Sequence, residues 1–236
     1  MSEQSPANRF LNRGQQLTRL QQHILAKMIS DTEADRQALP QEIKDARDVE
    51  SLLSALPKGL ERSVERWSDI PLMLQLFHAR HVDNFQSFLE ELLGLILRTH
   101  SGLLKRGDPK VSLADVLDYT SLEEFREASI AKKVRDWGYK SIRELGVAVF
   151  ELADFKLFPK EEEASLIEKV YDDRNLFTHN YGVVNPIYLQ SHPDCKTPLG
   201  QPLTFTLEEV KAAWETLIRA SADIETRAKS KFKLPI

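Results

Sequence analysis

The chain has 236 residues, of which 42% are hydrophobic and 29% are charged, and its formal net charge is -4 at pH 7. This balance is typical of a globular protein with a sizeable core, and the mild acidity excludes a protein that coats nucleic acid through its overall charge. Cys195 is the only cysteine, so one copy forms no disulfide and no four-cysteine zinc site, which favours a reducing compartment. Without a leader or a membrane-spanning run, the sequence predicts a soluble, cytoplasmic protein.

The first part of the chain, residues 1–68, predicts an N-terminal helical arm. Apolar residues recur at intervals of three and four over 15–36, which is the period of an amphipathic helix. Pro40 ends this pattern, and a second helical piece is predicted over 41–56. The arm is a plausible docking surface for another protein.

Residues 69–236 predict an all-α domain, an up-down bundle of four to five core helices. Its longest helix is predicted to start with Ser68 or Asp69 as the cap and Pro71 in the first turn, and to end near Thr99. Further helices are predicted from capping boxes, in which serine or threonine is followed three residues later by glutamate. These boxes begin at Ser121, Ser141 and Thr206.

One more core helix is predicted to start after Pro159 and to stop near Gly182, because glycine is the usual residue after a helix end. The segment 183–205 is rich in proline and predicts a loop, with a short hairpin around Gly200.

The segment most informative about function is 172–182, which reads DDRNLFTHNYG. It places Arg174 and His179 with four residues between them. Arginine is always charged and offers a planar fork of donors suited to phosphate oxygens, while histidine titrates near neutrality and can carry a proton. Together the two residues are a minimal set for cleaving a phosphodiester without a metal.

This motif resembles the signature of the HEPN superfamily, an arginine followed by a polar residue and then a histidine four to six positions on. The continuation GVVNPIYL at 182–189 is similar to a recurrent prokaryotic branch of that superfamily, and the resemblance covers roughly residues 72–229. It implies a compact helical bundle and a homodimer that brings two motifs face to face. In active members it implies an endoribonuclease without metal or cofactor.

The resemblance also bears on biological role. Many superfamily members are toxins or effectors in toxin-antitoxin and antiviral defence systems, which implies an antitoxin or another defence-system protein as a partner. Other members have lost catalysis and serve as interaction modules. RNA is the expected substrate in the first case, and a protein is the expected ligand in the second.

In the expected mechanism, His179 acts as general acid and base at the ribose 2′-hydroxyl or the departing 5′-oxygen, and Arg174 stabilises the charge on the reacting phosphate. The products are a 2′,3′-cyclic phosphate and a 5′-hydroxyl, and DNA is not cleaved. Asn175 lies four residues before His179 on the same helix face and is predicted to orient the imidazole. Asn180 is predicted to donate to the phosphate and Tyr181 to stack on a base.

Helix geometry constrains this expectation. Residues five positions apart lie about 140° apart around a regular helix, so Arg174 and His179 do not converge on one phosphate. Either a distorted helix end near Gly182 or a two-fold axis between subunits would bring an arginine and a histidine together.

Structural roles stay open for the same residues. Arg174 follows two aspartates and could be an ion-pair member, and His179 could cap a helix end. The acidic pair Asp172 and Asp173 also places negative charge beside the expected phosphate site. Three hypotheses therefore remain: a dimeric HEPN-type ribonuclease, a catalytically inactive HEPN-like interaction or scaffold module, and a plain helical scaffold.

Other polar residues are assigned mainly structural roles. His78 and His81 could suggest two metal ligands, but His81 lies on an apolar stripe and packed histidines are favoured. His192 and Cys195 are spaced like half a zinc site, and ordinary loop chemistry is favoured for them. Three aromatic residues are alternative platforms for RNA bases, with the last of them expected in the core: Trp137, Tyr139 and Trp214.

Overall fold

The computed structural model of the protein describes residues 5–37, 61–106 and 111–236. Regular secondary structure in these ranges is helical, apart from one isolated antiparallel bridge between Val183 and Pro202. The predicted all-α class is confirmed. The helices in chain order are α1 (Pro6–Gln37), α2 (Glu61–Thr99), α3 (Leu113–Leu117), α4 (Leu122–Gly138), α5 (Ile142–Ala153), α6 (Glu161–Asn180), α7 (Pro186–Ser191) and α8 (Leu207–Phe232), with a 3-10 turn at Ser101–Lys105.

Helix α2 is the centre of the bundle and contacts α1, α4, α6 and α8. Its inner face repeats apolar residues with the helical period, and Phe85, Phe88 and Leu92 on that face are at most 1% exposed. Burial of one such side chain contributes about 1.5–3 kcal/mol, so this stripe is a major source of stability. Among the described helices, none is long and apolar enough to cross a membrane.

Helix α1 begins at Pro6, earlier than the sequence pattern predicts. The reason is a cap, because the Ser5 hydroxyl accepts from the Asn8 N–H at 3.2 Å and proline is favoured in the first helical turn. Phe10 is 1% exposed and belongs to the same core cluster as α2 and α8. The first helix therefore packs as part of the bundle, while the helical piece predicted over 41–56 lies outside the described residues.

The predicted start of the long core helix is wrong. Helix α2 begins at Glu61 and contains Pro71 in its interior, so the predicted boundary between residues 68 and 69 falls within this helix. A proline inside a helix removes one backbone hydrogen bond and crowds the carbonyl four residues before it, yet α2 continues through Pro71. The Ser-Asp-Ile-Pro string therefore resembles a helix start without being one.

The predicted capping residues begin helices as expected. Both reciprocal hydrogen bonds of the capping box form at Ser141 and at Thr206. At Ser121 the hydroxyl accepts from the Glu124 N–H at 3.1 Å, while the Glu124 carboxylate accepts from Thr120 instead. A further capping box, at Ser112, begins α3. The sequence pattern did not predict it, because its third position holds aspartate, Asp115, where the pattern expects glutamate.

Helix α6 ends near Gly182 as predicted. Tyr181 and Gly182 have left-handed φ values of 54° and 75°, and the Gly182 N–H donates to the Leu176 carbonyl at 3.0 Å. The local hairpin predicted around Gly200 is wrong. Instead, Val184 donates to Gln201 and accepts from Gly200, both at 2.9 Å, so the returning chain is tied to the end of α6.

Candidate functional site

Arg174, Asn175 and His179 line one cleft of about 520 Å³ among α2, α4, α5 and α6. A volume of this size is in the usual range of ligand sites, about 300–1,000 Å³. The fold thus places all three predicted catalytic residues at one opening. Much of the apolar lining comes from Leu89, Leu93, Val134, Trp137, Ile142 and Leu145.

Arg174 is oriented by an aspartate of the central helix. Its Nε and Nη2 atoms donate to Oδ1 of Asp83 at 3.0 and 2.7 Å, and its Nη1 atom donates to Oδ1 of Asn175 at 3.2 Å. A guanidinium has five N–H groups, so two remain after these three hydrogen bonds. The arginine is held along one edge and still has donors for an oxyanion.

His179 lies in the last turn of α6, where its side chain is exposed and makes no hydrogen bond to the described residues. The predicted contact with Asn175 is not present, and the Asn175 amide oxygen accepts from Arg174. The imidazole is therefore open to solvent and to a ligand in the cleft.

The helix end does not bring Arg174 and His179 together. Helix α6 extends through Asn180, and the left-handed residues that end it come after His179. A distorted helix end therefore does not bring Arg174 and His179 close to each other. They border the same cleft from neighbouring turns of a continuous helix.

The two aspartates before Arg174 lie in different surroundings. Asp173 is 4% exposed and accepts from Nζ of Lys169 at 2.9 and 3.0 Å and from the Tyr188 hydroxyl. Asp172 does line the cleft, and its Oδ2 lies 2.9 Å from Nε2 of His192. Burial raises the pKa of Asp172. Asp173 is therefore held by Lys169 and Tyr188 outside the cleft lining, whereas Asp172 stays a lining carboxyl group in contact with His192.

The predicted substrate-binding residues lie outside the cleft lining. The Asn180 amide nitrogen donates to the Val183 carbonyl and so closes the turn after α6. Tyr181 has a left-handed backbone and is 92% exposed. The aromatic ring is thus presented to solvent beside the motif, whereas Asn180 supports the local fold.

His78 and His81 are packed in the interior, as predicted, and each is 2% exposed. His81 stacks on Trp214 with ring centroids 4.5 Å apart, and Nε2 of His78 lies 3.1 Å from the Val170 carbonyl oxygen. Burial lowers the pKa of both histidines, that of His81 to about 4. The prediction that Trp214 is a core residue is also confirmed.

His192 and Cys195 belong to the loop that returns from α7. His192 is buried against Asp172, while the Cys195 thiol lies 3.8 Å from the Thr197 carbonyl oxygen. Among the described residues, no three histidine, cysteine, aspartate or glutamate side chains are grouped so as to hold a metal ion.

Some residues outside the motif hold Arg174 or line the cleft beside it. Asp83 contacts Arg174 across 91 positions of the chain, and no local pattern links the two. Tyr171 precedes Asn175 by one helical turn and therefore shares its face, which is a signal the sequence does contain. Gln86 and Glu90 enter the lining from α2 at the same helical spacing.

No protein-family model, no curated protein and no solved structure matches this chain. The resemblance to the HEPN superfamily accordingly rests on the motif.

Proposed function

We propose that the protein is a metal-independent endoribonuclease of HEPN type. The observation that carries this proposal is the shared cleft, in which Arg174 retains two N–H donors and His179 is exposed on the next turns of the same helix. A cationic donor and a titratable imidazole at one opening are the groups that phosphodiester transfer requires.

In the proposed reaction, one histidine removes the proton from the ribose 2′-hydroxyl as its oxygen attacks the adjacent phosphorus. The bond from phosphorus to the 5′-oxygen breaks, and that oxygen receives a proton from a protonated His179 side chain acting as general acid. The free N–H groups of Arg174 stabilise the charge that develops on the equatorial phosphate oxygens, while Asp83 fixes the plane of the guanidinium. A 2′,3′-cyclic phosphate and a 5′-hydroxyl result.

The active form in this proposal is a homodimer joined through the motif face. Two-fold symmetry would pair the arginine of one subunit with the histidine of the other, which the separation of these residues around α6 favours. Exposed Tyr181 and Ile187, at 92% and 74%, lie beside the motif in the chain and supply apolar area for such a contact. A toxin or antiviral effector, restrained by a partner protein, is the role we infer from the motif.

The test is RNA cleavage in EDTA by the wild type and by Arg174→Ala and His179→Ala. Loss of an acid-base group or of a charge-stabilising donor lowers such rates by roughly 10²–10⁴-fold, and we expect losses of that order. Matched controls are Arg98→Ala, which removes a surface arginine paired with Glu127, and His23→Ala, which removes an exposed histidine of α1. Both controls should cleave like the wild type.

Product ends and substrate type sharpen this test. The expected fragments carry cyclic phosphate or 3′-phosphate ends, and an oligonucleotide with 2′-deoxyribose throughout should stay intact. Equal traces from wild type and His179→Ala, or none from either, would overturn the constitutive ribonuclease.

Mixing the two inactive variants tests the composite site. If each site takes its arginine and its histidine from different subunits, a mixed dimer contains one intact site, and cleavage returns in the mixture. If both residues act within one chain, neither site is intact and the mixture stays inactive. An inactive mixture would leave the proposed ribonuclease activity standing and reject an active site composed of residues from two subunits.

The alternative function is a catalytically inactive module that binds another protein. The ion pair between Arg174 and Asp83 favours it, because this contact gives the arginine a structural role that needs no substrate. Exposed Tyr181 would then be a contact residue. In that case Arg174→Ala and His179→Ala would leave RNA cleavage at background, while Tyr181→Ala would release a co-purifying protein.

A further inference from the structure

The cleft offers few positive charges to an RNA strand. Its lining holds two cations, Lys140 and Arg174, against three carboxyl groups, those of Glu90, Glu168 and Asp172. The chain as a whole has a formal net charge of -4, so it has no general attraction for a polyanion. Phosphates on either side of the reacting one therefore need a second, positively charged surface.

Basic side chains gather at the end of the bundle where α5 and α8 finish. Nη1 of Arg106 donates to the Leu152 carbonyl at 3.0 Å, and Nζ of Lys231 donates to Oδ2 of Asp154 at 3.1 Å. Since Leu152 and Asp154 flank the last residue of α5, these contacts bring the segment after α2 and the last turn of α8 to one place. This surface is called the basic end, and it has six cations: Lys105, Arg106, Lys156, Arg227, Lys231 and Lys233.

Two further contacts hold the same segments together. Nε2 of His100 lies 2.6 Å from the Phe232 carbonyl oxygen, and Arg227 donates to the carbonyls of Lys156 and Leu157, both at 2.6 Å. Each of the six cations therefore belongs to a residue that makes one of these contacts or directly adjoins one that does.

Most of this charge is not neutralised. Arg227 pairs with Asp223 and Lys231 with Asp154, whereas the other four cations are exposed and form no ion pair to the described residues. The one arginine among these four donates to a main-chain carbonyl, which orients the guanidinium and leaves its charge intact. Even when the nearby carboxylate of Glu151 is counted with the two aspartates, the cations are in excess.

Helix α5 connects the cleft to the basic end. Its first residue, Ile142, lines the cleft, and its 12 residues end directly before Asp154. A helix of this length spans about 18 Å. Phe150 of this helix is 42% exposed, and Nζ of Lys156 lies 5.8 Å from its ring centroid. An exposed aromatic ring beside a cation is a combination that single-stranded nucleic acid binds through stacking and charge.

We propose that the basic end binds the phosphates of a single-stranded RNA whose reacting phosphate lies at Arg174 and His179. At about 3.4 Å per nucleotide, the length of α5 corresponds to about five nucleotides. An RNA that reaches both places therefore binds more tightly than a fragment that fills the cleft alone. This inference rests on the proposed ribonuclease function, since that function places the reacting phosphate in the cleft.

An anionic membrane would also be attracted by this charge. Membrane binding of a basic surface is strengthened by apolar side chains that enter the lipid, yet Phe232 and Leu234 at the end of α8 are 6% and 5% exposed. Their burial favours RNA as the polyanion.

The test variant combines Lys105→Gln, Lys156→Gln and Lys233→Gln. These exposed side chains form no ion pair or hydrogen bond to the described residues, so the melting temperature should equal that of the wild type. The matched control removes the same charge from three exposed lysines outside the basic end, through Lys132→Gln, Lys196→Gln and Lys211→Gln.

The probe is a 2′-O-methyl RNA of about 20 nucleotides, which lacks the 2′-hydroxyl that the proposed reaction needs and is not cleaved. Fluorescence anisotropy at several salt concentrations should show the test variant binding this probe roughly tenfold or more weakly than the wild type. Its slope of log K against log salt should be smaller by about 2, because each contact with a single-stranded phosphate contributes about 0.7. The control should keep the wild-type affinity and slope. A probe of about four nucleotides is too short to span α5, and all three proteins should bind it alike.

Equal weakening in the test variant and the control would overturn the basic end, because overall charge would then explain the effect. Wild-type binding of the long probe by the test variant would overturn it as well. If the test variant bound RNA normally but lost binding to vesicles of phosphatidylcholine and phosphatidylserine, the surface would be a membrane site and the assignment to RNA would be wrong.

RNA cleavage judges the ribonuclease proposal separately. Binding through the basic end without cleavage would keep the basic end and reject the ribonuclease. Cleavage of long RNA with the same kcat/KM in the wild type, the test variant and the control would do the reverse.

Discussion

His81 shows how a single residue can couple this fold to acidity. Its ring is 2% exposed against Trp214, and burial lowers its pKa to about 4, whereas a histidine in an unfolded chain titrates near 6.5. Between about pH 6.5 and pH 4, His81 is therefore protonated in the unfolded chain and neutral in the folded chain. This residue stabilises the fold fully above about pH 6.5, and its contribution is lost as the pH falls toward 4.

We expect the loss attributable to His81 to reach about 3 kcal/mol across that interval, with His78 acting in the same direction. His81→Phe keeps an aromatic ring against Trp214 and should flatten the decline of unfolding free energy between pH 7 and pH 4.5. Denaturant titrations of wild type, His81→Phe and exposed-site control His23→Ala measure this. Parallel declines in all three would refute the assignment.

For single residues, the sequence predicted whether a side chain is buried better than it predicted which side chains form hydrogen bonds. The spacing of His81 with the apolar residues of α2 was sufficient to predict a packed histidine, because helical period determines which face is buried. The predicted bond from Asn175 to His179 did not form, and the Asn175 amide oxygen accepts from the neighbouring Arg174 instead. That choice depends on where Asp83 aims the guanidinium, which only the folded chain determines.

Helices α1 and α8 meet at a glycine. A Cβ atom at Gly14 would lie 1.8 Å from Cη2 of Trp214, so only a glycine lets the two helices approach this closely. Gly146 in α5 has nothing within 4 Å of its Cβ position. Substitution by alanine is therefore crowded at Gly14 and unhindered at Gly146.

Gly14→Ala should lower the free energy of unfolding by roughly 1–3 kcal/mol, because the added methyl overpacks the interface. Gly146→Ala should raise it by about 0.5–1 kcal/mol, because alanine is the better helix former. Chemical denaturation of both variants gives the two values. A shift of the same sign in both would contradict the packing described for Gly14.

Element boundaries were predictable where a local hydrogen bond sets them. Ser141 and Thr206 begin helices because their side chains satisfy backbone donors within three residues, and such bonds are visible in the sequence. The start of α2 was missed because Pro71 mimics a first-turn proline, and α7 was missed because six residues are too few to show a period. Long-range pairing of Val184 with Gln201 has no local signal.

At the scale of the whole molecule, the core includes the first helix. Phe10 is 1% exposed and contacts Phe85, Phe88 and Trp214, with ring centroids between 4.9 and 5.9 Å apart. The sequence predicted the all-α class from period and caps, yet it could not show that α1 packs against both α2 and α8. Such neighbours are set by shape complementarity between distant segments.

Phe10→Ala should therefore lower the free energy of unfolding by about 3–5 kcal/mol, the usual range for a large core aromatic. Leu20→Ala changes a residue of the same helix that is 51% exposed, and its effect should stay within about 0.5 kcal/mol. Thermal and denaturant unfolding compare the two. A small effect of Phe10→Ala would mean that α1 is a dispensable attachment to the bundle.

The bonds from Ser5 and from the Ala7 N–H to the carboxylate of Glu225, at 3.0 and 2.8 Å, span 220 and 218 positions. During translation α1 leaves the ribosome long before α8 has been made. Phe10 can pack against Phe85 and Phe88 of α2 before then, but its contact with Trp214 forms only after α8 has been made. The nascent chain thus exposes the part of α1 that packs on Trp214 until α8 has been made, and chaperone binding or aggregation competes with folding during that interval.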